Sequence, residues 1–191
     1  LSQLELFGEV CNELKVKAEN RKCAVRINPG VGAGHHEKVI TGGKKTKFGI
    51  AEYAIDEIFK IAEKYQIRIA GINQHIGSLF MDPEPYLEAV KNLLRIAHRF
   101  ENLDFIDFGG GYGIPYHKLD DEKDFPMEDF KSRLEPILDE FVASYGKAPL
   151  FKSEPGRFCV AEGSVILGRV HSTKENSGIK FAGTDVGMNV L

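Results

Sequence analysis

The 191 residues predict an α/β protein built on a parallel sheet. Three observations lead there. Short runs rich in Ile, Val and Phe recur about 40 residues apart, one amphipathic helical pattern separates each run from the next, and a loop bearing glycine or serine follows each run. Strands joined by single helices imply right-handed βαβ crossovers. Two architectures satisfy the pattern: an open doubly wound sheet, and a (β/α)8 barrel of which four units are half.

The elements follow in order. Leu4, Phe7, Val10, Cys11 and Leu14 fall on one face of an opening helix. The run Cys23–Asn28 reads as a buried strand stopped by Pro29 and Gly30, and a glycine-rich loop extends to Gly49. Ile55, Ile58, Phe59 and Ala62 mark a helix at 3,4 spacing, and Ile67–Ile72 is the second strand. A helix from about Pro85 aligns Leu87, Val90, Leu94 and Ala97. Asp104–Phe108 is the third strand. The next helix carries a stripe of Phe130, Leu134, Ile137, Leu138, Phe141, Val142 and Tyr145, and Pro149–Ser153 is the fourth strand. Beyond Gly156 the helices stop: Phe158–Val170 and Ile179–Val186 are expected strands around the turn-rich Lys174–Gly178, a hairpin that opens a separate β domain. The chain starts at Leu1 inside a helical pattern and ends at Leu191 beside a strand pattern, so both ends read as cut from something longer.

Composition narrows the function classes. The net charge is −3, 42% of residues are hydrophobic and 28% charged, which excludes disordered and collagen-like classes. The short basic cluster Lys44, Lys45, Lys47 is glycine-flanked and reads as a solvated loop, so no nucleic-acid footprint is expected. Cys11, Cys23 and Cys159 form no CxxC or Cys/His cluster, so no metal is expected and reduced thiols in a cytoplasmic protein are. No apolar run approaches the roughly 20 residues of a membrane span.

The distinctive residues sit just after the strands, where α/β folds bind ligands. His75-Ile76-Gly77-Ser78 follows the second strand, with glycine and serine suited to close approach of an anion. Gly109-Gly110-Gly111-Tyr112-Gly113 follows the third. Three bare amides side by side form either an anion-binding nest or simply a tight turn, and the residues leave both readings open. Neither GxGxxG spacing nor a Walker lysine is present, which removes support for nucleotides. The fourth strand ends in Ser153-Glu154-Pro155-Gly156-Arg157, where Glu154 and Arg157 form a surface pair or face a cationic ring nitrogen and an anion respectively. An aromatic ring bearing a phosphate meets all of these groups.

HIGS, GGGYG and EPGR, in this order at these strand ends, resemble the fold-type III pyridoxal-phosphate enzymes, which include the basic amino-acid decarboxylases and alanine racemase. Arg26 to Gly43, Lys47–Ile50, Phe105–Pro115 and Thr184–Asn189 are similar to the diaminopimelate decarboxylase branch of that family. The resemblance implies the later half of a (β/α)8 TIM-type barrel over residues 1–157 and the beginning of a C-terminal β domain over 158–191. It implies pyridoxal 5'-phosphate as cofactor, with His75 stacked on the ring, Ser78 and the amides of Gly109, Gly110 and Gly111 on the phosphate, and Glu154 on the ring nitrogen. Pro155, Gly156 and Arg157 complete the cofactor turn, and Arg157 would also bind a substrate carboxylate. The expected reaction is decarboxylation of meso-diaminopimelate to L-lysine and CO2, by a homodimer in the complete protein. Related amino-acid or polyamine-pathway decarboxylases, and a non-catalytic cofactor-binding piece, are the alternatives. His35, His36 and Lys47 on the first loop are expected to be structural.

Two departures matter. The family's Schiff-base lysine lies in a YAxKAN-like motif, and the partner-subunit cysteine in a CESxD-like motif; neither occurs in these residues, and Cys159 stands in the wrong context. No catalytic residue is therefore expected in this chain, nor decarboxylase activity from it alone.

Overall fold

The computed structural model describes residues 1–32, 42–43, 46–116 and 122–190. Lys44, Lys45, His35 and His36 lie outside the described residues. Two compact units are present, Leu1–Cys159 and Val160–Leu191.

The first unit opens with α1 (Ser2–Glu13), then β1 (Lys22–Arg26), α2 (Ile55–Tyr65), β2 (Arg68–Asn73), α3 (Glu84–Ala97), β3 (Phe105–Asp107), α4 (Met127–Tyr145), β4 (Leu150–Lys152) and the single turn α5 (Gly156–Val160). The strands lie parallel in the order β1-β2-β3-β4. That order settles the choice between the two architectures. A doubly wound sheet reverses its strand order at a switch point, whereas a barrel adds each strand beside the last with its helices on one face. No reversal occurs among these four.

In-register neighbours of a parallel sheet share a face. Val25, Ile72 and Ile106 occupy one row and are buried, with Phe151 partly buried against them. Arg26, Asn73, Asp107 and Lys152 form the row one residue further along, on the opposite face. The core therefore fills the space between sheet and helices, where Ile55, Ile58, Tyr86, Leu87, Val90, Leu93, Leu94 and Ile96 are buried. Exposed ion pairs lace the outer helical layer: Arg95 to Glu52 at 2.6 Å, Arg99 to Asp56, and Arg133 to Glu84.

Several expectations are corrected. The β1 strand is not buried on both faces: Val25 is buried, Lys22 and Ala24 are exposed, because only one side of it meets helices. On α1, Val10 and Leu14 are exposed; Leu4, Gly8 and Cys11 are buried, and Gly8 lies against the ring of Tyr65 on α2. Phe158–Val170 is not a strand. It begins within α5, where the Cys159 N–H donates to the Pro155 carbonyl at 3.2 Å, and the next strand starts only at Val170.

The second unit is a hairpin of β5 (Val170–Asn176) and β6 (Ile179–Thr184), paired antiparallel. Its turn is tighter than the expected Lys174–Gly178. Ser177 and Gly178 both take positive φ, 53° and 78°, the conformation of a two-residue type I′ connection whose twist matches the strands it joins.

Candidate cofactor site

Three strand-end turns interlock at the carboxyl edge of the sheet. An added Cβ on Gly110 would collide with the Glu154 carbonyl oxygen, and one on Gly111 with the Gly77 carbonyl oxygen. Gly111 also sits at φ 106°, a region closed to most side chains. The glycine loop after β3 is thus wedged between the turn after β2 and the turn after β4. Main-chain bonds hold it there: the Glu154 N–H donates to the Gly109 carbonyl at 3.0 Å, and the Phe80 N–H to the Gly111 carbonyl at 3.2 Å.

These contacts divide the three amides. The Gly109 N–H donates to Asp107 Oδ1 at 2.9 Å, and the Gly110 N–H to His75 Nδ1 at 3.2 Å. Two of the three amides expected on a phosphate therefore have acceptors within the protein. Only the Gly111 amide has no acceptor among the described residues. Nearby in sequence to its contact Gly77, the Ser78 hydroxyl is half-buried and likewise without a partner among the described residues.

His75 is half-buried just beyond β2. Accepting a hydrogen bond at Nδ1 requires that nitrogen to be unprotonated, so the ring is the neutral Nε2–H tautomer. Burial pushes its pKa below the ordinary histidine value, the nearby Arg26 charge adds to this, and Asp107 opposes it. Arg26 Nη2 donates to the His75 carbonyl at 3.3 Å, and the guanidinium lies 5.0 Å from the Phe48 ring centroid. Burial lowers the Arg26 pKa, while the charge of Glu154 acts in the opposite direction.

Glu154 is exposed, as is Arg157, whose Nη1 donates to the Tyr116 hydroxyl at 3.0 Å. Pro155 and Gly156 carry the chain from β4 into α5. Lys47 is exposed with its ammonium 5.4 Å from the Phe48 ring, and Cys159 is exposed and unpaired. Among the described residues no group of three or more His, Cys, Asp or Glu could hold a metal, and no helix is long and apolar enough to cross a membrane.

Sequence reasoning missed Arg26, Asp107, Tyr86, Tyr112 and Ser153. A signal existed for the first two: each is a charge inside an otherwise apolar strand run. Tyr86 and Tyr112 carried no such signal, because aromatic residues on a helix face or after a strand read as core. Gln74, directly before His75, is fully buried with both side-chain polar atoms unpartnered among the described residues, an arrangement costing about 1–3 kcal/mol.

The site and the sheet that carries it define a class of protein. Residues 5–161 match the family of pyridoxal-dependent decarboxylases at its pyridoxal binding domain, and the chain belongs to that family. Its cofactor is pyridoxal 5'-phosphate, and the fold is a stretch of (β/α)8 barrel followed by the opening of a β domain. Among particular proteins, it is 40% identical over 183 residues to the diaminopimelate decarboxylase of Methanothermobacter thermautotrophicus, covering 93% of this chain and 42% of that one. The crystal structure of diaminopimelate decarboxylase from Helicobacter pylori complexed with L-lysine superposes with a TM-score of 0.80 at 30% identity, over 98% of this chain and 45% of that one. A lysine/ornithine decarboxylase from Vibrio vulnificus, complexed with putrescine, shares the fold at a TM-score of 0.69 and 22% identity. The chain spans less than half the length of these relatives.

Proposed function

We propose that residues 1–157 form the cofactor-binding part of a decarboxylase acting on meso-diaminopimelate to give L-lysine and CO2, with residues 158–191 opening its β domain. The observation that carries the reading is the interlocking of the three turns, which puts His75, the Gly111 amide and Glu154 on one edge of the sheet. The donor set suits the cofactor. A neutral imidazole stacks on a pyridine ring without placing a second positive charge beside its protonated nitrogen. The Ser78 hydroxyl and the Gly111 N–H are donors with no acceptor among the described residues, as a phosphate oxygen requires. The Glu154 carboxylate is exposed and available to the ring nitrogen, and Arg157 offers a forked donor set to a substrate carboxylate.

Pyridoxal phosphate, when bound, would supply a conjugated ring that accepts the electron pair left on the substrate carbon as CO2 departs. The chain's own residues bind and orient: Ser78 and Gly111 anchor, His75 presses on one ring face, and Glu154 keeps the ring nitrogen protonated. The diaminopimelate branch is favoured over the ornithine branch by the 40% identity to one relative against the fold-level likeness to the other. A homodimer in the cytoplasm completes the reading. Its test is an absorbance titration of the chain with pyridoxal phosphate and with pyridoxal, which lacks the phosphate. Saturable binding of the first, weaker binding of the second, and a loss on Ser78→Ala of phosphate-dependent affinity are expected. Equal affinity for both compounds would sink the phosphate assignment. No CO2 is expected from meso-diaminopimelate and this chain alone, because the lysine motif is missing.

A further inference from the structure

We infer that Tyr86, Tyr112 and Ser153 are positioning residues for His75, gripping the Gly109 carbonyl so that the Gly109–Gly110 peptide holds the imidazole in one orientation and one tautomer. The inference rests on the proposed function only in taking the His75 ring as a cofactor contact.

The three hydroxyls come from separate places: Tyr86 from the first turn of α3, Tyr112 from the loop after β3, and Ser153 from the residue directly after β4. The Tyr112 hydroxyl donates to the Tyr86 oxygen at 2.8 Å, and the Tyr86 hydroxyl donates to the Gly109 carbonyl at 3.3 Å. Ser153 Oγ lies 2.9 Å from the Tyr112 oxygen and 3.0 Å from that same carbonyl. Each hydroxyl has one proton, so the serine's goes either to Tyr112 or to Gly109. In both arrangements every proton is used, and the cluster always ends on the Gly109 oxygen.

The grip is rigid and does not ionise. Tyr86 and Tyr112 are buried, and their rings pack at 5.1 Å and 5.3 Å from that of Phe80. Burial raises both phenol pKa values, Tyr86 well above the ordinary tyrosine value, so the hydroxyls stay protonated. A carbonyl and the N–H that follows it belong to one planar trans peptide and point in opposite directions. Holding the Gly109 oxygen on one side therefore aims the Gly110 N–H on the other, where it meets His75 Nδ1 at 3.2 Å. Donors on the carbonyl also polarise the amide, which makes its N–H a stronger donor and Nδ1 a poorer base. Asp107 holds the preceding peptide through the Gly109 N–H and the Glu154 N–H also reaches the Gly109 oxygen at 3.0 Å, so the hydroxyls set the tilt of the Gly109–Gly110 peptide within a loop already anchored on both sides.

The test is nitrogen-resolved NMR of the full chain without cofactor, comparing wild type, Ser153→Ala, the double variant Tyr86→Phe/Ser153→Ala, and Tyr145→Phe. The last removes a hydroxyl that donates to the Phe100 carbonyl at 2.7 Å and accepts from the Leu103 N–H, both on the segment leading into β3 rather than the turn after it, and serves as the purely structural control. His75 is expected as the Nε2–H tautomer in wild type and in Tyr145→Phe. In the double variant it should populate both tautomers and titrate closer to the ordinary histidine value, with Ser153→Ala intermediate and Ser153→Thr restoring the wild-type signal. Pyridoxal phosphate should bind the double variant about three- to tenfold more weakly. A folded double variant with unchanged His75 tautomer and titration overturns the inference. If the double variant does not fold, an unchanged His75 in Ser153→Ala does so instead. Failure of the wild-type chain to bind pyridoxal phosphate counts against the proposed function, while the histidine signals decide the positioning role separately.

Discussion

A methyl group is enough to test the site at Gly110. Its hydrogen points at the Glu154 carbonyl, and a Cβ there could be admitted only by moving the backbone of the turn after β4. Gly110→Ala is therefore expected to lower stability by about 1–3 kcal/mol and to weaken pyridoxal phosphate binding, read by denaturant melts and an absorbance titration. His75 makes a prediction in pH. Its folded pKa is lowered, so the unfolded chain takes up a proton first as the pH falls through about 6.5. The stability it contributes is present above that pH and is lost as the pH falls toward the folded value, when Nδ1 can no longer accept from Gly110. Melting temperature should fall between pH 7 and pH 5, and His75→Asn should flatten that slope; an equal slope in the variant would refute the assignment. The motifs HIGS, GGG and EPGR were legible as residues. Which amides remain open was not, since that depends on acceptors from Asp107 and His75, 35 residues apart in the case of Gly110 and His75.

Elements differ in how far their residues announce them. Helices α2 and α3 were legible because Ile55, Ile58 and Ala62, and Leu87, Val90, Leu94 and Ala97, all face the sheet and are buried. The stripe of α4 is wider than its contact: only Phe130 and Phe141 are fully buried, the rest of the stripe being partly covered. In α1 the buried face turns on Gly8, whose lack of a side chain lets the helix approach Tyr65, a role no hydrophobic count reveals. Helix α2 closes on Gln66 in the left-handed region at φ 55°. A non-glycine residue pays for that conformation, so Gln66→Gly should stabilise the fold by about 0.5–1 kcal/mol, seen as a raised denaturation midpoint. The short run Phe158–Val170 was misread because apolar residues in a short segment carry no decisive period; main-chain bonding from Pro155 makes its start helical.

For the whole molecule, the buried core lies entirely within Leu4–Phe141, and no described residue after Cys159 belongs to it. Truncation after Cys159 is accordingly expected to keep one cooperative unfolding transition, with a melting temperature within a few degrees of the parent chain by calorimetry. Loss of the transition would show that the hairpin unit is needed for the fold. Within the core, Ile106→Ala should cost about 2–5 kcal/mol, because Ile106 is fully buried between neighbouring strands and the helical layer.

Local order was written in the sequence: four strand–helix repeats, the glycine and proline turns, and the motifs that mark a pyridoxal-phosphate site. Each depends on neighbours a few residues apart, through periodicity and backbone freedom, so one strand of text suffices. The order of the strands, the face that carries Arg26, Asn73, Asp107 and Lys152, and the division of labour among three adjacent glycines were decided only in three dimensions. Apart from the Gly109 N–H, which meets Asp107 two residues back, those features arise from contacts between separate turns, as between Gly110 and His75, 35 residues apart, where packing determines which donor finds an acceptor and which is left for a ligand.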